Sequence, residues 1–175
     1  MDGVVACWIG EGDPGPGLCD PLVRHLHLEL RQRVRLGFEP ERPRVARDPR
    51  RGQYDSGAIL EWLGTRHPEA AKVIGITDVD LFIPILTFVF GEAQLAGRAA
   101  VVSTARLAAR EPGRLAERLR KESLHELGHV YGLVHCGSPG CVMARSPGVR
   151  EIDVKGETFC RDCRLLYDES RRHGR

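Results

Sequence analysis

One stretch in the last third of the chain restricts the fold most, because it sets histidines, a glutamate and a glycine at helical spacing. It runs from His125 to Met143 and reads HELGHVYGLVHCGSPGCVM. His125 and His129 are four residues apart, so on a helix they lie one turn apart on the same face. Two such imidazoles can bind one Zn²⁺, and Glu126 beside the first can hold a water without being a ligand. The spacing therefore predicts a helix that carries a zinc site.

A third histidine can reach the same metal only if the helix ends before it. His135 follows His129 by six residues, and on a continued helix its side chain would have rotated and risen away. Gly132 lies between them and can adopt the left-handed conformation that ends a helix and turns the chain. Three protein ligands would leave one zinc position open, as in catalytic sites. The alternative is a helix with surface histidines and an ordinary glycine cap.

Four cysteines follow the histidines in two pairs. Cys136 and Cys141 come directly after His135, and Cys160 and Cys163 form the segment CRDC. Two pairs of this kind suit a closed tetrahedral zinc site, which is structural and not catalytic. Redox chemistry at CRDC and free buried thiols are the alternatives, but no strand–CxxC–helix context supports a redox motif.

Met143 lies seven residues after Cys136. A buried methionine usually fills a gap in the core. The alternative is a methionine turn beneath zinc-binding histidines.

Length and composition indicate one globular protein of low net charge. The chain has 175 residues, 42% hydrophobic residues and a net charge of +2. We expect a single domain over residues 1–175, with the sheet and helices in about 1–132 and the third histidine and the cysteines in about 133–175. The low charge does not favour a nucleic-acid or anionic-membrane partner.

The first residues and the absence of a long apolar run bear on location. MDGVVACWIGEGDPGPG lacks the basic and apolar regions of a signal peptide. No run approaches the ~18 apolar residues of a membrane span. We therefore expect a cytoplasmic protein, in which spaced cysteines bind metal more often than they form disulfides.

Helix and strand patterns alternate in the first half of the chain, which favours an α/β sheet with helices packed on it. Asp20 followed by Pro21 predicts a helix from there to about Gln32, and Ser56 is a candidate cap for a second helix. The sequence predicts a further long helix over 112–131 and a short one over 165–172. Apolar and β-branched runs predict strands at 4–9, 33–38, 73–77, 87–90 and 99–104, the last two as a hairpin or a bulged pair.

Residues 39–53 contain prolines and arginines without apolar periodicity, and we interpret them as an exposed loop. A nucleic-acid patch is the alternative interpretation of these arginines. No aromatic residue interleaves them, which favours the solvated loop.

Together these motifs resemble those of the archaemetzincins, a family within the metzincin clan of metallopeptidases. The resemblance rests on HELGHVYGLVHC, GSPG, CVM and CRDC, and extends upstream through GITDVDLF, FVFGEA and AVVSTARL. It covers about residues 74–163. It implies a compact α/β fold with a twisted, mostly parallel sheet, an antiparallel edge strand over the cleft, and an active-site helix.

The resemblance also implies roles for individual residues. It implies catalytic zinc on His125, His129 and His135, and Glu126 as the general base that activates a water against a peptide bond. It implies two zinc ions per chain, with Met143 at the methionine turn and structural zinc on the cysteines Cys136, Cys141, Cys160 and Cys163. Some metzincins have a tyrosine two residues after this methionine, where this chain has Arg145.

Two other functions compete with a peptidase that acts on peptides or proteins. One is a zinc-binding interaction module without catalysis, against which Glu126 argues because such a module has no use for a carboxylate beside an open zinc. The other is a zinc hydrolase of non-peptide amides, since the same water activation serves any acyl transfer.

Overall fold

The computed structural model describes residues 3–173. The first half of the chain alternates strands and helices, as the sequence predicts. Strand β1 is followed by helix α1, strand β2, a 3-10 turn at Arg44–Ala46, and the short strands β3 and β4. Their bounds are Val4–Ile9 for β1, Pro16–Leu30 for α1, Val34–Glu39 for β2, Arg47–Asp48 for β3 and Gln53–Asp55 for β4.

The second half begins with a helix and four strands, and then becomes helical. The bounds are Ser56–Arg66 for α2, Lys72–Thr77 for β5, Leu81–Phe82 for β6, Gly91–Ala93 for β7, Ala99–Ser103 for β8, Arg114–Val130 for α3, Val149–Val154 for α4 and Arg161–His173 for α5. No helix within residues 3–173 is long and apolar enough to cross a bilayer.

The main sheet has the strand order β2-β1-β5-β8-β7. Strands β2, β1, β5 and β8 are parallel, and β7 pairs antiparallel with β8 at one edge. The predicted α/β class, with a mostly parallel sheet and an antiparallel edge strand, is confirmed. A smaller sheet of order β3-β4-β6 lies beside it.

Successive residues of the central strands face two different cores, as expected for parallel strands that are covered on both sides. In β1, Val4, Ala6 and Trp8 pack with α1 and α3, whereas Val5, Cys7 and Ile9 pack with α2. Helix α3 therefore lies on the α1 side of the sheet, and its C-terminal half carries the metal-binding motif.

Helix α1 begins earlier than the Asp20–Pro21 signal predicts. Its first turn closes on the carbonyl of Gly15, which accepts from the amides of Leu18 and Cys19 at 3.1 and 3.3 Å. Pro21 lies inside the helix. Proline φ suits a helix, but Pro21 has no amide hydrogen and so leaves one helical hydrogen bond unmade. Leu22, Leu26 and Leu30, which are spaced four residues apart on one face of α1, are buried.

The predicted strand over 87–90 is wrong, and the edge strand lies three to four residues later. Gly91 pairs with Val102, and Ala93 with Ala100. Upstream of it, Val89 makes only an isolated bridge to Leu81. The β-branched and aromatic residues that suggested a strand pack into the cores instead, which illustrates how context overrides β-propensity.

Three further predictions need correction. The cap of α2 is Asp55, whose carboxylate accepts from Ala58 N at 3.2 Å, while Ser56 Oγ donates to Phe82 O at 3.1 Å. The loop over 39–53 contains the 3-10 turn and β3, because Ala46 is buried against α2. The last helix was predicted over 165–172 but starts inside CRDC, at Arg161. Helix α4 was not predicted, because one and a half turns show little apolar periodicity.

Candidate active site

Helix α3 directs the rings of His125 and His129 toward one point. Their Nε2 atoms lie 3.2 Å apart. Each Nδ1 lies against a carbonyl oxygen, Val142 O at 2.8 Å for His125 and Leu133 O at 2.7 Å for His129. A carbonyl can only accept, so each Nδ1 donates and each Nε2 keeps its lone pair.

The two facing lone pairs fit a shared cation. Tetrahedral zinc at about 2.05 Å from each imidazole nitrogen would separate the nitrogens by about 3.3 Å. The observed Nε2–Nε2 distance of 3.2 Å matches this separation. The carbonyl partners fix the tautomer and the orientation of both rings, as partners of zinc-ligating histidines commonly do.

Gly132 ends the helix as the motif predicts. Its φ is +88°. Gly132 N donates to His129 O at 2.8 Å and Leu133 N to Gly128 O at 2.9 Å, the hydrogen-bond pair of a Schellman motif. The turn brings His135 back, with its ring centroid 5.3 Å from that of His125. One ligand atom from each of the three histidines lies within 4.8 Å of the others.

The surroundings of the histidines favour the neutral form that binds metal. Burial lowers the pKa of His125 well below its ordinary value, and the positive charge of Lys155 lowers it further. Burial also lowers the pKa of His129. For the exposed ring of His135, desolvation and the charges of His129 and Arg145 lower the pKa. Arg145 itself is exposed.

Glu126 lies between the helix and the edge strand, 6% exposed. A Cβ placed on Gly91 of β7 would lie 2.8 Å from Glu126 Cγ and 2.9 Å from its Oε1. The missing side chain therefore lets the strand pass directly over this carboxylate. Burial raises the pKa of Glu126 well above its ordinary value, and the charge of Glu122 adds to the effect. A carboxyl group with a raised pKa is a stronger proton acceptor.

Met143 is fully buried under the same helix. A Cβ on Gly128 would meet the sulfur of Met143 and would lie 2.9 Å from its Cε. Glycine at this helical position therefore lets the turn that carries Met143 approach α3 closely. The turn is tied to the histidine segment by a hydrogen bond from Cys136 N to Met143 O of 2.9 Å.

The four cysteines of the two pairs form a second cluster, and the structure places their sulfurs within 4.8 Å of one another. Cys136 Sγ and Cys160 Sγ are 3.8 Å apart, the separation of about 3.8 Å expected for tetrahedral Zn–S bonds of about 2.3 Å. In the described part of the chain all cysteines are free thiols. The donor set and its spacing fit a structural zinc.

Backbone amides point at three of these sulfurs. Cys141 Sγ accepts from Met143 N at 3.4 Å and from Cys160 N at 3.3 Å. Cys136 Sγ accepts from Ser138 N at 3.4 Å. Hydrogen bonds of this kind stabilise thiolates, the form in which cysteine binds metal. At Cys160 the amide of Cys163 lowers the thiol pKa, whereas burial raises the pKa of the Cys141 and Cys163 thiols in the metal-free chain.

Sequence reasoning missed a buried ion pair behind the histidines. Lys155 Nζ lies 2.7 Å from Glu122 Oε1, and the two side chains are 1% and 4% exposed. The same Nζ lies 3.4 Å from His125 Nδ1. The sequence contains one indication of this pair, which is the scarcity of lysine. The 26 lysines and arginines include only three lysines, Lys72, Lys121 and Lys155.

The matching protein family is peptidase family M54, whose profile covers residues 49–168. An archaemetzincin of Methanopyrus kandleri is 45% identical over 124 residues, 71% of each chain. An archaemetzincin of Haloquadratum walsbyi is 44% identical over 135 residues, 71% of this chain and 78% of that one.

The solved structures that this chain resembles are also archaemetzincins. The crystal structure of the Methanopyrus kandleri archaemetzincin has a TM-score of 0.87 and 36% identity, and the match covers 97% of this chain and 96% of that one. The Archaeoglobus fulgidus archaemetzincin, crystallised with malonate, has a TM-score of 0.79 and 30% identity, over 93% and 99% of the two chains. The chain therefore belongs to peptidase family M54, the archaemetzincins, and is a zinc metallopeptidase.

Proposed function

We propose that this metallopeptidase hydrolyses peptide bonds at a zinc held by His125, His129 and His135, with Glu126 as general base. The observation that carries the proposal is the convergence of one ligand atom from each histidine within 4.8 Å. A zinc ion held there supplies a Lewis acid and lowers the pKa of water toward about 7. Membership of the peptidase family favours peptides or proteins over other amides as substrates.

Glu126 is suited to move the proton. Its carboxylate follows His125 directly on α3 and lies against the edge strand, where an extended substrate would run. We assign it the removal of a proton from the attacking water and the return of that proton to the leaving amine. Burial raises its pKa, which strengthens it as a base.

The edge strand β7 is the part of the sheet that we expect to align the substrate. It pairs with β8 on one side only, so its other side can pair with an extended peptide. Its Gly91 brings the main chain close to Glu126. A peptide paired with β7 would thus pass beside the general base.

For the second cluster we propose a structural zinc on Cys136, Cys141, Cys160 and Cys163, giving two zinc ions per chain. The four sulfurs lie within 4.8 Å of one another, and four thiolates would fill every position of a tetrahedral zinc and leave none for a substrate.

Paired variants of Glu126 and His129 test the mechanism. Glu126→Gln keeps the shape but cannot accept a proton, so we expect a rate about 10²–10⁴-fold lower with zinc content unchanged. His129→Ala removes a ligand and should lose both zinc at this site and activity. Hydrolysis rates and zinc content are measured together on each variant. A zinc-loaded Glu126→Gln protein that cleaves peptides as fast as wild type contradicts the role of Glu126.

A further inference from the structure

We infer that Lys155, paired with Glu122, is a positioning residue for the three-histidine site. This inference rests on the zinc role proposed above for His125. The pair joins three parts of the site: Glu122 lies on helix α3 one turn before Glu126, Lys155 follows helix α4, and Lys155 Nζ also lies 3.5 Å from Ala144 O in the methionine turn.

The ammonium limits the movement of the His125 ring. His125 Nδ1 donates to Val142 O at 2.8 Å, and Lys155 Nζ lies 3.4 Å from the same nitrogen. Two donors cannot bond to each other, so the second distance is a packing contact. The ring is therefore held between a carbonyl and a buried cation, and its Nε2 is kept pointed at the other histidines.

Stability alone does not explain why this pair is buried. Removing two charges from water costs several kcal/mol per ion, and replacing a buried ion pair with apolar side chains is often neutral or stabilising. Lys155 and Glu122 are both almost fully buried. A role in shaping the site accounts for charges that the core does not need.

A separate set of contacts holds the segment that carries Lys155. Lys121 Nζ donates to Ile152 O and Asp153 O, both at 3.1 Å. Arg118 makes a two-pronged ion pair with Asp153, with both contacts at 2.8 Å. Helix α4 is thus fastened to α3 independently of Lys155. Lys121 is also a buried lysine, and its ammonium bonds to Glu117 and to the carbonyls of Ile152 and Asp153.

Taken together, Lys155 and Glu122 carry no net charge. Glu122 lies 2.7 Å from the ammonium, so their charges largely offset each other. A double variant, Glu122→Met with Lys155→Met, removes both charges and keeps side chains of similar length. Its effect on zinc binding therefore reports positioning and not a change in net charge.

The experiment measures zinc affinity of the histidine site by competition with a chelator, using the full chain with its cysteine site loaded. The melting temperature, kcat and KM are measured on the same proteins. For the double variant we expect a melting temperature at or above that of Lys155→Met, zinc affinity about 10–100-fold below wild type, and a fall in kcat larger than any change in KM. Lys155→Arg, which keeps the cation, should recover part of the affinity.

Lys121→Met is the matched control. Because the Arg118–Asp153 ion pair still fastens α4 to α3, we expect this variant to lower the melting temperature while leaving zinc affinity within about twofold of wild type. The inference is overturned if the double variant binds zinc as tightly as wild type, or if Lys121→Met loses as much affinity as Lys155→Met. A wild-type protein that holds no zinc at the histidines would overturn the proposed function itself, and this inference with it.

Discussion

His135 and Cys136 are adjacent in sequence, yet their side chains belong to two different clusters of potential metal ligands. Neighbouring side chains diverge, so one peptide unit separates a three-histidine site from a four-cysteine site. A second link runs from Cys136 N to Met143 O at 2.9 Å. The two clusters therefore share a short stretch of main chain, and their metal contents can be examined separately by substitution on either side.

Metal analysis should give two zinc ions per chain in wild type. His135→Ala should give about one, because two imidazoles hold zinc more weakly than three, while the cysteine cluster is intact. The measurement is zinc by mass spectrometry on protein purified without chelators. A reproducible value of one in wild type, with all four clustered cysteines reactive toward thiol reagents, contradicts the two-site assignment.

The cysteine cluster should contribute to stability. Cys163→Ala removes one ligand, and we expect a loss of about 4 kcal/mol or more, or about 8–16 °C in melting temperature, with faster proteolysis over residues 139–164. Cys19→Ala is the control, since Cys19 is also buried but lies outside the cluster. Equal and small effects of the two substitutions would argue against a structural metal.

Glu126 should make the stability of zinc-free protein depend on pH. The pKa of Glu126 in the folded chain is raised above the ordinary value of 4.5. Its contribution to the free energy of unfolding is therefore fully present below pH 4.5 and is lost as the pH rises through the folded pKa. Glutamine does not titrate, so the Glu126→Gln variant does not lose this stability as the pH rises. The melting temperature of the variant should therefore exceed that of wild type by more at pH 8 than at pH 5.

The matched control for this pH dependence is Glu41→Gln, at an exposed site. Its difference in melting temperature from wild type should be small at both pH values. A Glu126→Gln difference that stays constant between pH 5 and pH 8 would show that the buried carboxyl does not titrate as described.

Gly128 should tolerate no larger side chain. An added Cβ would lie 2.9 Å from Met143 Cε, and overpacking of a core costs about 1–3 kcal/mol. Gly64→Ala is the control, because a Cβ there meets nothing within 4 Å and alanine favours a helix by about 1 kcal/mol. Thermal unfolding should show Gly128→Ala destabilised and Gly64→Ala unchanged or stabilised; equal effects would rule out the contact with Met143.

The residues of the two clusters of potential metal ligands were predictable because much of their geometry is local. Helical spacing alone puts His125 and His129 on one face, and Gly132 adopts the left-handed conformation that the spacing of His135 requires. The sulfur cluster follows the same logic only in part, since the fold has to bring two distant pairs together. Spacing within each pair singled out the cysteines, and the tertiary structure brings the two pairs together.

Long-range partners were not predictable from any local pattern. Nothing near Lys155 in the sequence indicates that it reaches Glu122, 33 residues earlier, and the single sign was the scarcity of lysine. In the structure Lys121 and Lys155 are buried and Lys72 is half-buried. The edge strand was misplaced for a related reason. It begins at Gly91, where Glu126 and Val101 leave no room for a side chain, and glycine has no propensity for strands.

The order of these parts along the chain has a consequence for synthesis. His125 and His129 leave the ribosome well before Lys155, Cys160 and Cys163, which complete the cysteine cluster and the support behind His125. A nascent chain thus carries the hydrolytic motif while its framework is still missing. On the arrangement proposed here, the histidine site gains the buried ion pair behind it only after the chain has been synthesised past Lys155, and the cysteine cluster is complete only after Cys163.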